Sequence, residues 1–134
     1  MHNFKNKNIG ILGLGLTGRS AIDYFSNNSK KIIGWDDLTK IRSKIVDDTI
    51  EILDLSILKN LKLIDVLFIS PGIKPNHRII KLAQINNISI IGDLDIFWKK
   101  ESKNKNKFIF ITGSNGKSTV TSLIHHLLIS VKKK

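Results

Sequence analysis

Short apolar, β-branched runs alternate with helix-period segments along the whole chain. "NIGIL" at 8–12 runs into glycines, and "LTGRSAIDYFSNN" at 16–28 then carries helical spacing. "KIIGW" at 31–35 predicts a second strand, closed by Asp36 and Asp37. "TIEIL" at 49–53 alternates as a strand does, and "IDVLFIS" at 64–70 is an apolar run of the buried-strand kind. "NHRIIKLAQINN" at 76–87 sets Ile79, Ile80, Ala83 and Asn87 along one side of a helix, and "ISIIG" at 88–92 predicts another strand. "DLDIFWKK" at 93–100 opens a helix with Asp93 at its N-cap. Strand and helix in strict alternation predict an α/β fold with a mostly parallel sheet. No internal repeat is present.

The pattern breaks at 99–107, where five Lys occur in nine residues without one apolar side chain. That composition predicts a linker. "FIFIT" at 108–112 then reads as a new buried strand, and a helix follows from 117. Its Val120, Leu123, Ile124, Leu127, Leu128 and Val131 fall on one apolar stripe. The chain therefore divides into one nearly complete domain, a linker, and the opening strand and helix of a second domain.

With 134 residues, 41% hydrophobic and 25% charged, the composition is that of a soluble globular protein. No apolar run is long enough to span a bilayer. "IGILGLGL" follows Lys5 and Lys7 as a signal peptide's apolar region would, yet glycines interrupt it and no small-residue cleavage site follows. The expected location is the cytoplasm, which the absence of cysteine fits. A net charge of +11 raises the question of nucleic acid. The excess lies in short lysine clusters at 5–8, 99–107 and the end of the chain, with no aromatic residues interleaved, so no nucleic-acid partner is expected.

Three motifs carry chemistry. "GLGLTG" at 13–18 matches G-x-G-x-x-G between a strand and a helix, where Gly13 allows the tight turn, Gly15 a close phosphate and Gly18 close helix–strand packing. Amide groups and the helix dipole at that turn face an anion. Asp36 and Asp37 follow at the distance of an acid that reads a ribose or base. Thr17 adds a hydroxyl suited to a phosphate or to a helix cap. "GSNGKST" at 113–119 is a Gly-rich turn, Lys and Ser/Thr opening a helix after a strand, an arrangement that wraps nucleotide phosphates. It is shorter than G-x-x-x-x-G-K-[ST], since position 111 is Ile. "SPGI" at 70–73 lies at the carboxyl end of a strand, the sheet edge where α/β ligands sit, and reads equally as a simple turn between strand and helix. Other residues read as structural. His125 and His126 are adjacent on a helix and point about 100° apart, so they make no metal pair. His77 reads as a surface residue at a helix start, Asp93 and Asp95 as a cap and a first-turn acid, and Trp35 and Trp98 as packing.

In order and spacing, "GLGLTGRS", "SPGI", "GDLDIF" and "ITGSNGKSTVT" resemble the Mur ligase family over essentially the whole chain, and within it the member that adds D-glutamate to UDP-N-acetylmuramoyl-L-alanine. The resemblance implies a Rossmann-like, parallel-sheet N-terminal domain at 1–98 that binds the UDP-sugar, a linker at 99–107, and at 108–134 the first strand, P-loop and helix of a truncated ATP-binding domain. It implies a cytoplasmic enzyme of peptidoglycan synthesis, serving cell-wall biogenesis, cell shape and division, monomeric at full length and not inserted in the membrane. ATP would activate the alanine carboxylate as an acyl phosphate, and the amine of D-glutamate would attack it. Gly15, Leu16 and Thr17 would then lie at the UDP diphosphate, Asp36 would face the uracil, and Ser70, Pro71 and Gly72 would border the same site. Gly113, Ser114, Asn115, Gly116, Lys117, Ser118 and Thr119 would hold ATP, with Lys117 catalytic and the Ser118 hydroxyl on Mg²⁺. An arginine of the family's uracil site falls here on Leu38. Since the resemblance spans roughly the first third of such a ligase, the chain alone is expected to be inactive, lacking the D-glutamate site and the remaining metal ligands. The rival readings are a non-catalytic UDP-sugar-binding domain and an NAD-type dinucleotide-binding domain.

Overall fold

Five parallel strands build the sheet of a computed structural model that describes residues 4–104 and 106–132. The chain divides into two units, Met1–Glu101 and Ser102–Lys134. In the first unit the strands are β1 (Asn8–Leu12), β2 (Lys31–Trp35), β3 (Ile50–Ile52), β4 (Val66–Ile69) and β5 (Ser89–Ile91), in the order β3-β2-β1-β4-β5. The helices between them are α1 (Leu16–Ser26), α2 (Thr39–Arg42), α3 (Leu58–Leu61) and α4 (Arg78–Ile85), with α5 (Asp93–Glu101) following β5. Order reverses beside β1, whose two neighbours are β2 and β4. Such a switch point leaves a crevice at the carboxyl ends of the strands.

Both faces of the sheet's centre are buried, which is why the inner strands β1 and β4 read as apolar runs, while the edge strand β3 alternates with Glu51 exposed. Ile9, Ile11, Ile32 and Phe68 pack with Ala21, Ile22 and Phe25 of α1 on one face. Leu12, Ile33 and Leu67 pack with Leu61 of α3 and Ile79, Ile80 and Ala83 of α4 on the other. Phe25 meets Phe4 and Phe68 edge-on, with ring centroids 5.2 and 6.1 Å away.

The elements differ from expectation mainly at their ends. α1 stops at Ser26, because Asn28 and Ser29 donate side-chain hydrogen bonds to the Tyr24 and Phe25 carbonyls and take the last-turn acceptors. Asn87 leaves the apolar side of α4 altogether. It adopts φ 55°, a left-handed conformation that asparagine tolerates, and Ile88 N–H closes onto the Ala83 carbonyl at 2.9 Å. Asp93 is the first helical residue of α5 and not its cap; Asp95 instead reaches back to accept the Gly92 N–H at 2.7 Å. α5 continues to Glu101 and a 3-10 turn occupies Ser102–Asn104, so the stretch expected to be a linker from 99 begins inside a helix. Lysines suit that position, where Lys99 and Lys100 meet the negative end of the helix dipole. Lys105 of the same stretch, and Lys133 and Lys134 of the expected segment 108–134, lie outside the described residues.

The second unit contains α6 (Lys117–Lys132). "FIFIT" at 108–112 forms no strand, since a single apolar run without a ladder partner cannot satisfy its backbone as sheet. Phe108 and Phe110 stack with centroids 6.3 Å apart. On α6, Val120, Leu123, Leu127, Leu128 and Val131 are exposed and Ile124 half-buried.

Candidate functional site

The turn that joins β1 to α1 is set by Gly13, whose φ of 89° is left-handed and whose N–H donates to the Trp35 carbonyl at 2.8 Å. Gly15 caps α1 without a side-chain hydrogen bond, and no acid stands in the first turn. The first amides of the helix are thus left to an incoming anion, at the positive end of the helix dipole. Gly18 brings α1 onto the loop so closely that a Cβ there would lie 2.0 Å from the Gly13 carbonyl oxygen. At Gly15 a Cβ would meet nothing within 4 Å, so the space before that residue is open.

Two other loops close on this turn. Ser70, buried at the end of β4, donates its hydroxyl to the Gly13 carbonyl at 2.8 Å. Asp36, buried at the end of β2, accepts the Leu14 N–H on Oδ2 at 2.8 Å and the Leu38 N–H on Oδ1 at 2.9 Å. Its carboxylate is therefore committed to the backbone of the glycine turn and of its own loop. The Arg42 guanidinium sits 4.2 Å over the Trp35 ring and donates to the carbonyls of Asp36 and Asp37 and to Thr39 Oγ1, holding the same loop from outside.

Between the three loops lies a cavity of about 430 Å³. Gly13, Gly15, Leu16 and Thr17 line it from the first loop, Asp36, Asp37, Leu38 and Ile41 from the second, and Ser70, Pro71, Gly72 and Ile73 from the third. The cavity brings together all seven residues that the sequence pointed to for UDP: Gly15, Leu16, Thr17, Asp36, Ser70, Pro71 and Gly72. Among the described residues no Lys or Arg lines it, so an anion there is met by amides and a dipole. Leu16 and Leu38 are exposed at its edge and give it apolar flanks.

Sequence reasoning missed His77. Far from being a bystander at the surface, it is the N-cap of α4: its Nδ1 accepts the Ile79 N–H at 3.2 Å, and Nε2 lies 2.9 Å from Asp37 Oδ2. That hydrogen bond is the largest influence and holds the Asp37 carboxyl below the ordinary aspartate range, against the opposing effect of burial, which comes second; the hydrogen bond from Trp35 lowers it further. A histidine followed two residues later by an apolar helical run is the only signal that anticipates the cap, and nothing in the spacing announces its partner.

In the second unit the loop "GSNGKST" has left-handed turns at Gly113 (φ 153°) and Gly116 (φ 75°) before α6. Lys117 is the first residue of α6, and its Nζ donates to the carbonyls of Gly113 at 2.5 Å and Ser114 at 3.4 Å. The ammonium therefore stands over the loop. Asn115, Ser118 and Thr119 are exposed beside it. No cluster of three His, Cys, Asp or Glu able to hold a metal ion exists among the described residues. No described helix is long and apolar enough to cross a membrane.

Residues 7–92 match the family model described as Mur ligase MurD-like, N-terminal domain. The chain is 41% identical to the UDP-N-acetylmuramoylalanine–D-glutamate ligase of Rickettsia prowazekii, over 97% of the chain and 29% of the relative. It is 36% identical to the ligase of the same name from Wolbachia pipientis, over 100% of the chain and 26% of the relative. The corresponding Buchnera aphidicola ligase is 35% identical over 94% of the chain and 29% of the relative. The chain thus spans between about a quarter and a third of the length of these relatives.

Proposed function

The chain belongs to the Mur ligase family through its MurD-like N-terminal domain, and we propose that it serves the ATP-dependent joining of D-glutamate to UDP-N-acetylmuramoyl-L-alanine in the cytoplasm, a step of peptidoglycan precursor synthesis. The observation that carries this reading is the convergence of three loops, seven expected residues among them, on one cavity at the switch point of the sheet. A dinucleotide-binding domain would account for the glycine turn but leave "GSNGKST" without a purpose.

In this reading the amides of Leu16 and Thr17 and the Thr17 hydroxyl hold the diphosphate at the start of α1. Gly15 leaves room for it, and Ser70 fixes the turn by tying down the Gly13 carbonyl. Pro71 and Gly72 border the sugar side. Asp36 forms the floor of the uracil end while its carboxylate ties the glycine turn to the β2 loop.

The residues Gly113 to Thr119 fit the phosphates of ATP. Lys117 would exchange loop carbonyls for phosphate oxygens, and the loop amides would face the same anion. The Ser118 hydroxyl fits Mg²⁺ as a single ligand, and with no acidic cluster among the described residues the ion would arrive on the nucleotide. When bound, Mg-ATP supplies the phosphoryl group that activates the substrate carboxylate. In this reading one loop and one helix contact the phosphates without enclosing ATP, so the 134-residue chain by itself is expected to bind and not to ligate.

Calorimetric titration tests the reading. UDP-N-acetylmuramoyl-L-alanine should bind more tightly than NAD, and tighter binding of NAD would overturn it. Phosphate release with all three substrates should stay at background.

A further inference from the structure

Two adjacent acids end β2, and the structure gives them different work. Asp36 is 7% exposed with both oxygens taken by backbone amides. The Asp37 side chain is 66% exposed and lines the cavity that holds the glycine turn. Its Oδ1 accepts from Trp35 Nε1 at 3.2 Å and its Oδ2 faces His77 Nε2 at 2.9 Å. Each carboxylate oxygen can accept more than one hydrogen bond, so both keep acceptor capacity toward a ligand.

The α4 cap sets the direction of the imidazole. A ring nitrogen that accepts an amide N–H cannot itself carry a proton, so the Ile79 N–H on Nδ1 selects the tautomer with hydrogen on Nε2, aimed at Asp37. Helix α4 thereby fixes the orientation of a carboxylate on another loop, 40 residues away in sequence.

We propose that His77 is a positioning residue for nucleoside recognition, presenting Asp37 as acceptor to a hydrogen-bond donor of the uridine. The donor is a ribose hydroxyl or the imide N–H of the base. An acid at the end of the second strand, one loop from the phosphate turn, stands where such folds read a nucleoside. The assignment rests on the uridine reading above, and it moves nucleoside recognition from Asp36 to Asp37.

The test uses the full 134-residue chain, UDP, 2′-deoxy-UDP and N3-methyl-UDP, each titrated by calorimetry. The unaltered chain should bind one analogue about fivefold more weakly than UDP, and the penalised analogue names the donor. His77→Asn separates the two roles of the side chain, because asparagine is a good N-cap but too short to reach Asp37. This variant should lose no more melting temperature than Asp37→Ala does, bind UDP about fivefold more weakly, and treat UDP and the penalised analogue alike within about twofold. Asp37→Ala, at an exposed position, should show the same loss. If His77→Asn keeps both affinity and discrimination, histidine is a cap alone and the assignment falls. It falls also if the unaltered chain binds both analogues as well as UDP. No UDP binding by the unaltered chain would instead sink the uridine reading itself, and this assignment with it.

Discussion

Replacing Gly18 with alanine should damage the fold, while the same change at Gly15 should damage only the site. A Cβ on Gly18 would stand 2.0 Å from the Gly13 oxygen, 2.9 Å from the Gly13 carbon and 3.4 Å from Ser70 Oγ. The first two are backbone atoms, so no rotamer relieves them, and α1 must move off the loop by about 1 Å or more to reach ordinary contact distance. α1 cannot move alone, because Ala21, Ile22 and Phe25 anchor it in the core. Overpacking of this kind costs about 1–3 kcal/mol, and loss of the Ser70–Gly13 hydrogen bond about 1 kcal/mol more. A loss of about 3 kcal/mol lowers the melting temperature of a domain this size by about 15 °C. At Gly15 nothing lies within 4 Å of the added carbon and φ is −68°, so Gly15→Ala should stay within about 1 kcal/mol of the unaltered chain. The added methyl would occupy the phosphate approach and weaken UDP by about tenfold or more. Urea unfolding followed by circular dichroism, with calorimetry for UDP, reads both effects. A Gly18→Ala variant within about 0.5 kcal/mol of the unaltered chain refutes the close-approach reasoning, and a Gly15→Ala variant with undiminished UDP affinity refutes the cradle.

Asp36→Asn leaves either the buried Leu14 amide or the part-buried Leu38 amide without an acceptor and should cost about 1–2 kcal/mol in urea unfolding. Lys117→Ala should abolish ATP binding measured by a fluorescent analogue and leave UDP affinity unchanged, since the two loops belong to different units. Folding lowers the Asp37 pKa, so its contribution is present above the unfolded value and disappears as pH falls through the folded one. The melting-temperature gap between the unaltered chain and Asp37→Ala should therefore be open at neutral pH, small because the side chain is largely exposed, and closed below the ordinary aspartate range. By amide hydrogen exchange, α6 should exchange at least about 100-fold faster than β1 and β4, because its apolar face is not buried.

The parallel sheet was legible because each central strand is apolar on two faces, as in "IDVLFIS", and because glycines punctuate β1. The candidate site was legible where the backbone demands a residue type, at Gly13 with its positive φ and at Gly18 against a carbonyl; Asp36 was read as a partner for the ligand, whereas its carboxylate holds backbone amides. The short helices α2 and α3 escaped notice, since four residues carry no period to read. Asp37 and His77 escaped as a pair because their contact depends on how two loops meet above the sheet, and residues 40 apart leave no mark on each other in one sequence. "FIFIT" misled for a complementary reason: its composition is that of a buried strand, but strand formation is a property of two segments.

The placement of β1 between β2 and β4 also bears on the order of events when the chain folds. The Leu14–Asp36 contact closes over 22 residues, whereas the Ser70–Gly13 contact closes over 57 and requires β4 to find β1. The half of the cavity made by β1, α1 and β2 can form locally, and the half at Ser70 only with the long-range pairing. On the function proposed above, a nucleotide would find its complete binding surface only on the finished sheet. It should slow unfolding in proportion to occupancy and leave the refolding rate almost untouched, so that a bound nucleotide would protect a protein already made without hastening the making of it.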